Sequence, residues 1–152
     1  MESVRQALLE EFKDDEKVRF LGILMRVAGA DDVSPSERNH LQPVAEWIGA
    51  SEDELTRAVR IAHSEEFDLD ELVSGFRHGD QGLLLFRECC AVVWVDMAKT
   101  ASEESLLNEL GLVLGISEEA RQILDSPIVC SPEGDRRFLT LLRGTYSSWT
   151  ED

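Results

Sequence analysis

One spacing constrains this chain more than any other feature. A step of 66 positions carries Glu37 to Glu103, Leu41 to Leu107, Val44 to Leu110 and Ile48 to Leu114. The same step carries Gly49 to Gly115 and Ser51-Glu52 to Ser117-Glu118. Upstream it takes Phe20 to Phe86 and Val27 to Val93, and downstream Phe76-Arg77 to Leu142-Arg143. Self-similarity at a fixed period marks copies of one supersecondary unit. Units that each carry an apolar stripe bury those stripes against one another.

The unit is helical. Ser34-Pro35-Ser36-Glu37 is a capping box with proline at the first helical position. Ser51-Glu52-Asp53-Glu54, Asp68-Leu69-Asp70-Glu71 and Thr100-Ala101-Ser102-Glu103 repeat the pattern, and Ser117-Glu118-Glu119 and Ser131-Pro132-Glu133 are partial versions. Between the caps the apolar period is that of a helix. Phe20, Ile23, Leu24 and Val27 share a face, as do Leu41, Val44, Ala45 and Ile48, and Leu107, Leu110 and Leu114. Phe138, Leu139, Leu141 and Leu142 do the same near the end. Gly49 and Gly115 stand where a helix C-terminus favours glycine. Leu83 to Phe86 and Ala91 to Val95 tolerate strand, but no turn residue divides the stretch, so a buried helix is expected there.

These signals predict a single all-α domain over 1–152: an internally duplicated bundle of about eight to nine helices. Unit one covers about 14–79 and unit two about 80–145. Each reads as a long helix, a capped helix, a short helix and a closing helix, the two units related by a pseudo-twofold axis. Leu83 to Met97 is apolar nearly all round and should be the central element. Val4, Leu8, Leu9 and Phe12 suggest an extra helix in 1–12, and 145–152 reads as a tail.

Charge and cysteine usage narrow the function classes. Thirty-one acidic residues against 15 basic ones give a net charge of −16. Such a field repels phosphate backbones and anionic lipid and attracts cations and basic proteins. Nucleic acid is therefore not expected as a partner. No apolar run reaches the roughly 18 residues a membrane span requires, so no membrane insertion is expected. Met1 to Lys17 lacks an apolar signal core, which points to the cytoplasm. Cys89, Cys90 and Cys130 form no Cys-x-x-Cys and no spaced disulfide framework, and are expected to be buried thiols.

Chemistry, if any, is expected where the first helix of each unit hands over to the second. Unit one has Asp31 and Asp32 in that turn and Glu37 at the third helical position; unit two has Asp96 in the turn and Glu103 at the third position. Hard divalent cations take several oxygen ligands from such turns. The competing reading is a helix cap and a helix-dipole contact. No Asp-x-Asp-x-Asp-Gly calcium loop is present. His40, His63 and His78 are scattered and fit no zinc spacing. Gly75, Gly79 and Gly82 do not make a phosphate loop. No nucleophile or acid–base pair stands out, so an enzyme is not expected.

The two copies resemble the TerB-like domains, named after a bacterial tellurite-resistance protein and found also beside a membrane-anchored DnaJ-type co-chaperone. The family signature runs Ala-Asp-Gly-x-hydrophobic-Ser-x-x-Glu, followed by an apolar helix ending in Leu-Gly-hydrophobic-Ser. Val33-Ser34-Pro35-Ser36-Glu37 and Ile48-Gly49-Ala50-Ser51 resemble the first copy. Asp96, Thr100, Glu103 and Leu114-Gly115-Ile116-Ser117 resemble the second, so the likeness spans about 16–125. Neither copy keeps the glycine after the aspartate, the family's aspartate position falls on Ala30 with Asp31 one residue late, and Lys99 replaces a hydrophobic residue.

The resemblance implies an all-helical, duplicated, non-catalytic module linked to tellurite and stress response. It implies a protein partner and a divalent cation, calcium or magnesium, at Asp96, Glu103, Asp31 and Glu37. The alternative is an acidic immunity- or decoy-type protein that neutralises a basic partner by charge complementarity.

Overall fold

The computed structural model describes residues 12–29, 35–74, 76, 80–94 and 101–125. These residues form seven helices and no strand: α1 (Asp14–Ala28), α2 (Pro35–Ile48), α3 (Glu52–Ala62), α4 (Leu69–Leu72), α5 (Asp80–Trp94), α6 (Ala101–Leu114) and α7 (Glu118–Leu124). The segments 1–11 and 126–152, with the expected first helix, the Ser131-Pro132-Glu133 start and the tail, lie outside the described residues.

The helices start where the local chemistry places them. Ser51 Oγ accepts the Glu54 N–H at 3.2 Å while Glu54 Oε1 accepts the Ser51 N–H at 2.9 Å, a closed capping box before α3. Asp68 Oδ1 accepts the Asp70 N–H ahead of α4, and Ser117 Oγ accepts the Ala120 N–H at 3.2 Å ahead of α7. Each such bond satisfies a donor that a helix start leaves open, and contributes about 1 kcal/mol. Lys13 precedes α1, with its N–H donated to Glu16 Oε1 at 2.9 Å.

The ends of α2 and α6 are built alike. Gly49 and Gly115 both adopt φ 74°. The Gly49 N–H donates to Glu46 O and the Ala50 N–H to Ala45 O; the Gly115 and Ile116 N–H groups donate in the same way to Leu112 O and Gly111 O. A side chain disfavours that left-handed backbone, which is why glycine closes both helices. Both ends of α1 and α5 are 66 positions apart, as are both ends of α2 and α6, and α3 and α7 begin 66 apart.

α1 and α5 pack on each other through the centre of the molecule, and each also touches the second helix of the other half, α6 and α2 respectively. Phe20, Leu21, Ile23, Leu24 and Val27 of α1 meet Leu84, Leu85, Cys89, Cys90, Val92 and Val93 of α5 in one core. Leu107, Leu110 and Leu114 of α6 close it on one side. Phe12, Phe20 and Phe76 form an edge-on aromatic cluster, with ring centroids 4.9 to 6.4 Å apart.

α1 lies most intimately along α3. At Gly22 a Cβ would stand 2.7 Å from Ile61 Cγ2, so the bare backbone sets the distance between these helices. The position 66 further on is Glu88, and α5 contacts α7 far less than α1 contacts α3. The α1–α3 and α5–α7 contacts thus differ although their helices begin at a step of 66.

α5 is the buried centre the sequence suggests, with one correction. It is not lined by apolar side chains alone. Arg87 is 2% exposed and Glu88 0% exposed, so a charged pair sits inside the core. The sequence pattern hides this because burial on every side leaves no polar face to reveal it.

Candidate functional site

Of the four residues proposed as ligands, the structure fixes the side chain of one. Asp31 and Asp96 lie outside the described residues. Glu37 lies in the first turn of α2, and its side chain also lies outside them. Whether the two interhelical turns approach one another is therefore not part of the described structure.

Glu103, at the third position of α6, is 6% exposed. Its depth matches that of Glu54, the third residue of α3, which is 9% exposed and whose carboxylate closes the cap on Ser51. Glu103 follows Thr100 at the spacing that Glu54 follows Ser51. Glu103 thus shares the helical position and the depth of the capping Glu54. Among the described residues, no three His, Cys, Asp or Glu side chains gather in a group that could hold a metal ion.

The most unusual chemistry lies in α5. Arg87 Nη1 stands 3.5 Å from Glu88 Oε2. Both charges are withdrawn from water, a costly arrangement that persists only when each is well partnered. The next two residues are Cys89 and Cys90, both buried thiols, as the sequence suggests. Burial pushes the Cys89 thiol well above its ordinary pKa, and the neighbouring Glu88 carboxylate pushes it further. A thiol held neutral is a packing group and a poor nucleophile. Cys130 lies outside the described residues.

Two arginines of α1, seven positions apart, reach carbonyls at the ends of the short helices. Arg26 Nη1 donates to Ala62 O at 2.9 Å and Ser64 O at 3.2 Å, and its guanidinium lies 4.7 Å from the Phe67 ring centroid. Arg19 Nη1 donates to Leu72 O at 3.1 Å and lies 5.3 Å from the Phe76 ring centroid. A cation at a helix C-terminus satisfies open carbonyls and meets the negative end of the helix dipole. Sequence reasoning passed over these arginines. The signal was available: two long cations on the inward side of an amphipathic helix, each a few residues from a core aromatic.

Among the described residues most cations are drawn inward and most carboxylates stay exposed, with Glu54, Glu88 and Glu103 buried. Arg87 is interior, and the side chains of Arg19 and Lys17 keep 19% and 17% of their exposure. Their carboxylate partners on α1 do not follow them inward: Asp14 and Asp15 keep 86% and 80%. Glu52, Asp53, Glu65, Glu66, Asp70, Glu71, Glu104, Glu109, Glu118 and Glu119 are all exposed. Among the described residues the exposed charge is therefore mostly negative. Among the described Lys and Arg residues only Lys13, Arg57 and Arg60 are exposed, and Arg57 Nε stands 3.6 Å from Asp53 Oδ2. His63 is exposed at the C-terminal end of α3; the His40 side chain and His78 lie outside the described residues.

No helix among the described residues is long and apolar enough to cross a membrane. Comparison with family models, curated proteins and solved structures returned no match.

Proposed function

We propose that this chain is a non-catalytic, acidic helical module of the TerB-like kind that acts by binding a basic partner protein. The observation that carries the reading is the separation of charge by depth. Among the described residues Arg19 and Arg26 turn inward onto carbonyls and Arg87 pairs with the buried Glu88, while most carboxylates are exposed. Such a surface steers cationic partners and rejects anionic ones. The architecture proposed with it is a duplicated bundle of eight to nine helices over 1–152, two units about a pseudo-twofold axis. The recurrence of helix bounds at a step of 66 and the matched glycine closures of α2 and α6 support it.

The test is a titration with a lysine-rich helical peptide at rising salt. Saturable binding that weakens steeply with ionic strength is expected; a surface with no affinity for the peptide at low salt removes the reading. A decoy or immunity protein would use the same surface, and differs in that binding abolishes its partner's own activity. The tellurite and stress role predicts that cells expressing the chain in the cytoplasm tolerate more tellurite than those without it.

A divalent cation at Asp31, Glu37, Asp96 and Glu103 is the second part of the proposal. Its support is the burial of a carboxylate, Glu103, in the first turn of α6, a placement that a cap would also explain. Calcium or magnesium bound there would raise the melting temperature by mass action. A melting curve unchanged at millimolar metal removes the cation and leaves Glu103 as a cap.

A further inference from the structure

The outward side of α6 carries an exposed seam. Ala101, Ser105, Asn108 and Leu112 are all exposed and recur at steps of four, three and four, so they form one seam along the helix. Three of the four are small, and Leu112 at its end is 65% exposed, the more exposed of only two large apolar side chains at the described surface. All charged residues of α6 are acidic: Glu103, Glu104 and Glu109. Glu104 and Glu109 flank the seam, and the exposed Glu118 and Glu119 follow at the start of α7.

The matching face of α2 lacks this character. One step of 66 back from Leu112 is Glu46 and from Asn108 is Gln42, both exposed. The same helical position thus bears a charge in one half and an apolar anchor in the other. A solitary surface leucine is ordinary; here it ends a seam of small residues that admits another helix at close range, between carboxylates on both sides.

We propose that this α6 face is the seat of the partner, and that its occupant is a basic amphipathic helix of another protein. A leucine-sized side chain of that helix would lie against Leu112, and lysines or arginines on either side would meet Glu104 and Glu109. Helices recognised by a helical surface are held in this way, by apolar anchors on one face, with charge fixing orientation. The inference rests on the partner-binding reading above and assigns it a place.

The probe is a short synthetic helix with leucines on one face and lysines beside them, labelled for fluorescence anisotropy, with the full chain as receptor. Leu112→Ser is expected to weaken binding about tenfold or more, and Glu109→Lys several-fold. Glu46→Lys makes the same charge change on the matching helix and is expected to stay within about twofold. All three positions are exposed, and unchanged melting curves would confirm that the variants fold. If Leu112→Ser binds as well as the parent, or Glu46→Lys weakens binding as much as Glu109→Lys, the peptide is held by net charge and the seat is wrong, while partner binding stands. If the peptide does not bind the parent chain at low salt, both readings fall.

Discussion

Gly22 faces Ile61 across the α1–α3 contact so closely that a Cβ on Gly22 would lie 2.7 Å from Ile61 Cγ2 and 2.9 Å from Ile61 Cβ. Behind Ile61 stands the Ala58 carbonyl oxygen, 3.3 Å from the same point. Ile61 is branched at Cβ and has few alternative rotamers, so it cannot swing aside freely. Gly22→Ala would gain about 1 kcal/mol of helix propensity, yet overpacking costs roughly 1–3 kcal/mol. The expected outcome is net destabilisation, read as a lower denaturant midpoint. Adding Ile61→Val should recover part of it, because the two positions are coupled.

The paired glycines make a second prediction. Gly49 and Gly115 share φ 74°, and at Gly49 an added Cβ would meet nothing nearer than Lys17 Nζ at 3.8 Å. The cost of Gly49→Ala is therefore backbone strain alone, about 1–2 kcal/mol. Gly115→Ala should incur at least the same strain. The double variant should lose about the sum of the two single losses, since the sites belong to separate helix ends. Equilibrium unfolding of the three variants checks this; a stabilised Gly49→Ala would contradict the left-handed closure.

How far such features could be read from the chain depends on their range. Helix starts at Glu52, Leu69 and Glu118 were legible because Ser51, Asp68 and Ser117 act on backbone groups two or three residues away. The core positions Phe20, Ile23, Leu24 and Val27 followed from period alone. The burial of Arg87 and Glu88 did not, because depth is a property of the assembled helices. The Gly22–Ile61 approach was hidden for the same reason. At the candidate site, the sequence marked Glu103 as special but gave no way to tell a cap from a ligand; its depth, matched to that of Glu54, favours the cap. Leu112 falls in an apolar run and looks like core until α6 is set against its neighbours.

The interior pair gives a third prediction. Removing one member of a buried ion pair takes a partner from the other charge in a low-dielectric interior, at a cost of about 3–5 kcal/mol. Arg87→Met and Glu88→Gln are each expected to lose on that order. The double change Arg87→Met with Glu88→Leu should be less damaging than the sum of the two, because both single changes lose the same pair contact. A double-mutant cycle measured by denaturant unfolding gives the coupling directly. A coupling of zero would mean that Arg87 and Glu88 are held by other groups and not by each other.

Cys89 supplies a pH dependence with a definite sign. Burial, and then the Glu88 charge, raise its pKa in the folded protein. The folded state therefore keeps the thiol proton at pH values where the unfolded chain, with an ordinary thiol pKa of about 8.5, releases it. Below that value both states are protonated and the group adds no slope. Above it the folded state binds more protons than the unfolded one, so stability falls as pH rises. Replacing Cys89 with alanine should flatten the decline of stability above about pH 8.5, even though the smaller side chain lowers stability at neutral pH. The same burial predicts that Cys89 and Cys90 resist a thiol reagent at pH 7 and react only as the protein opens, so labelling should track the denaturation curve. Rapid labelling of either thiol in the native protein would show that α5 is reached by solvent and that the Arg87–Glu88 pair is not the sealed interior it is taken to be.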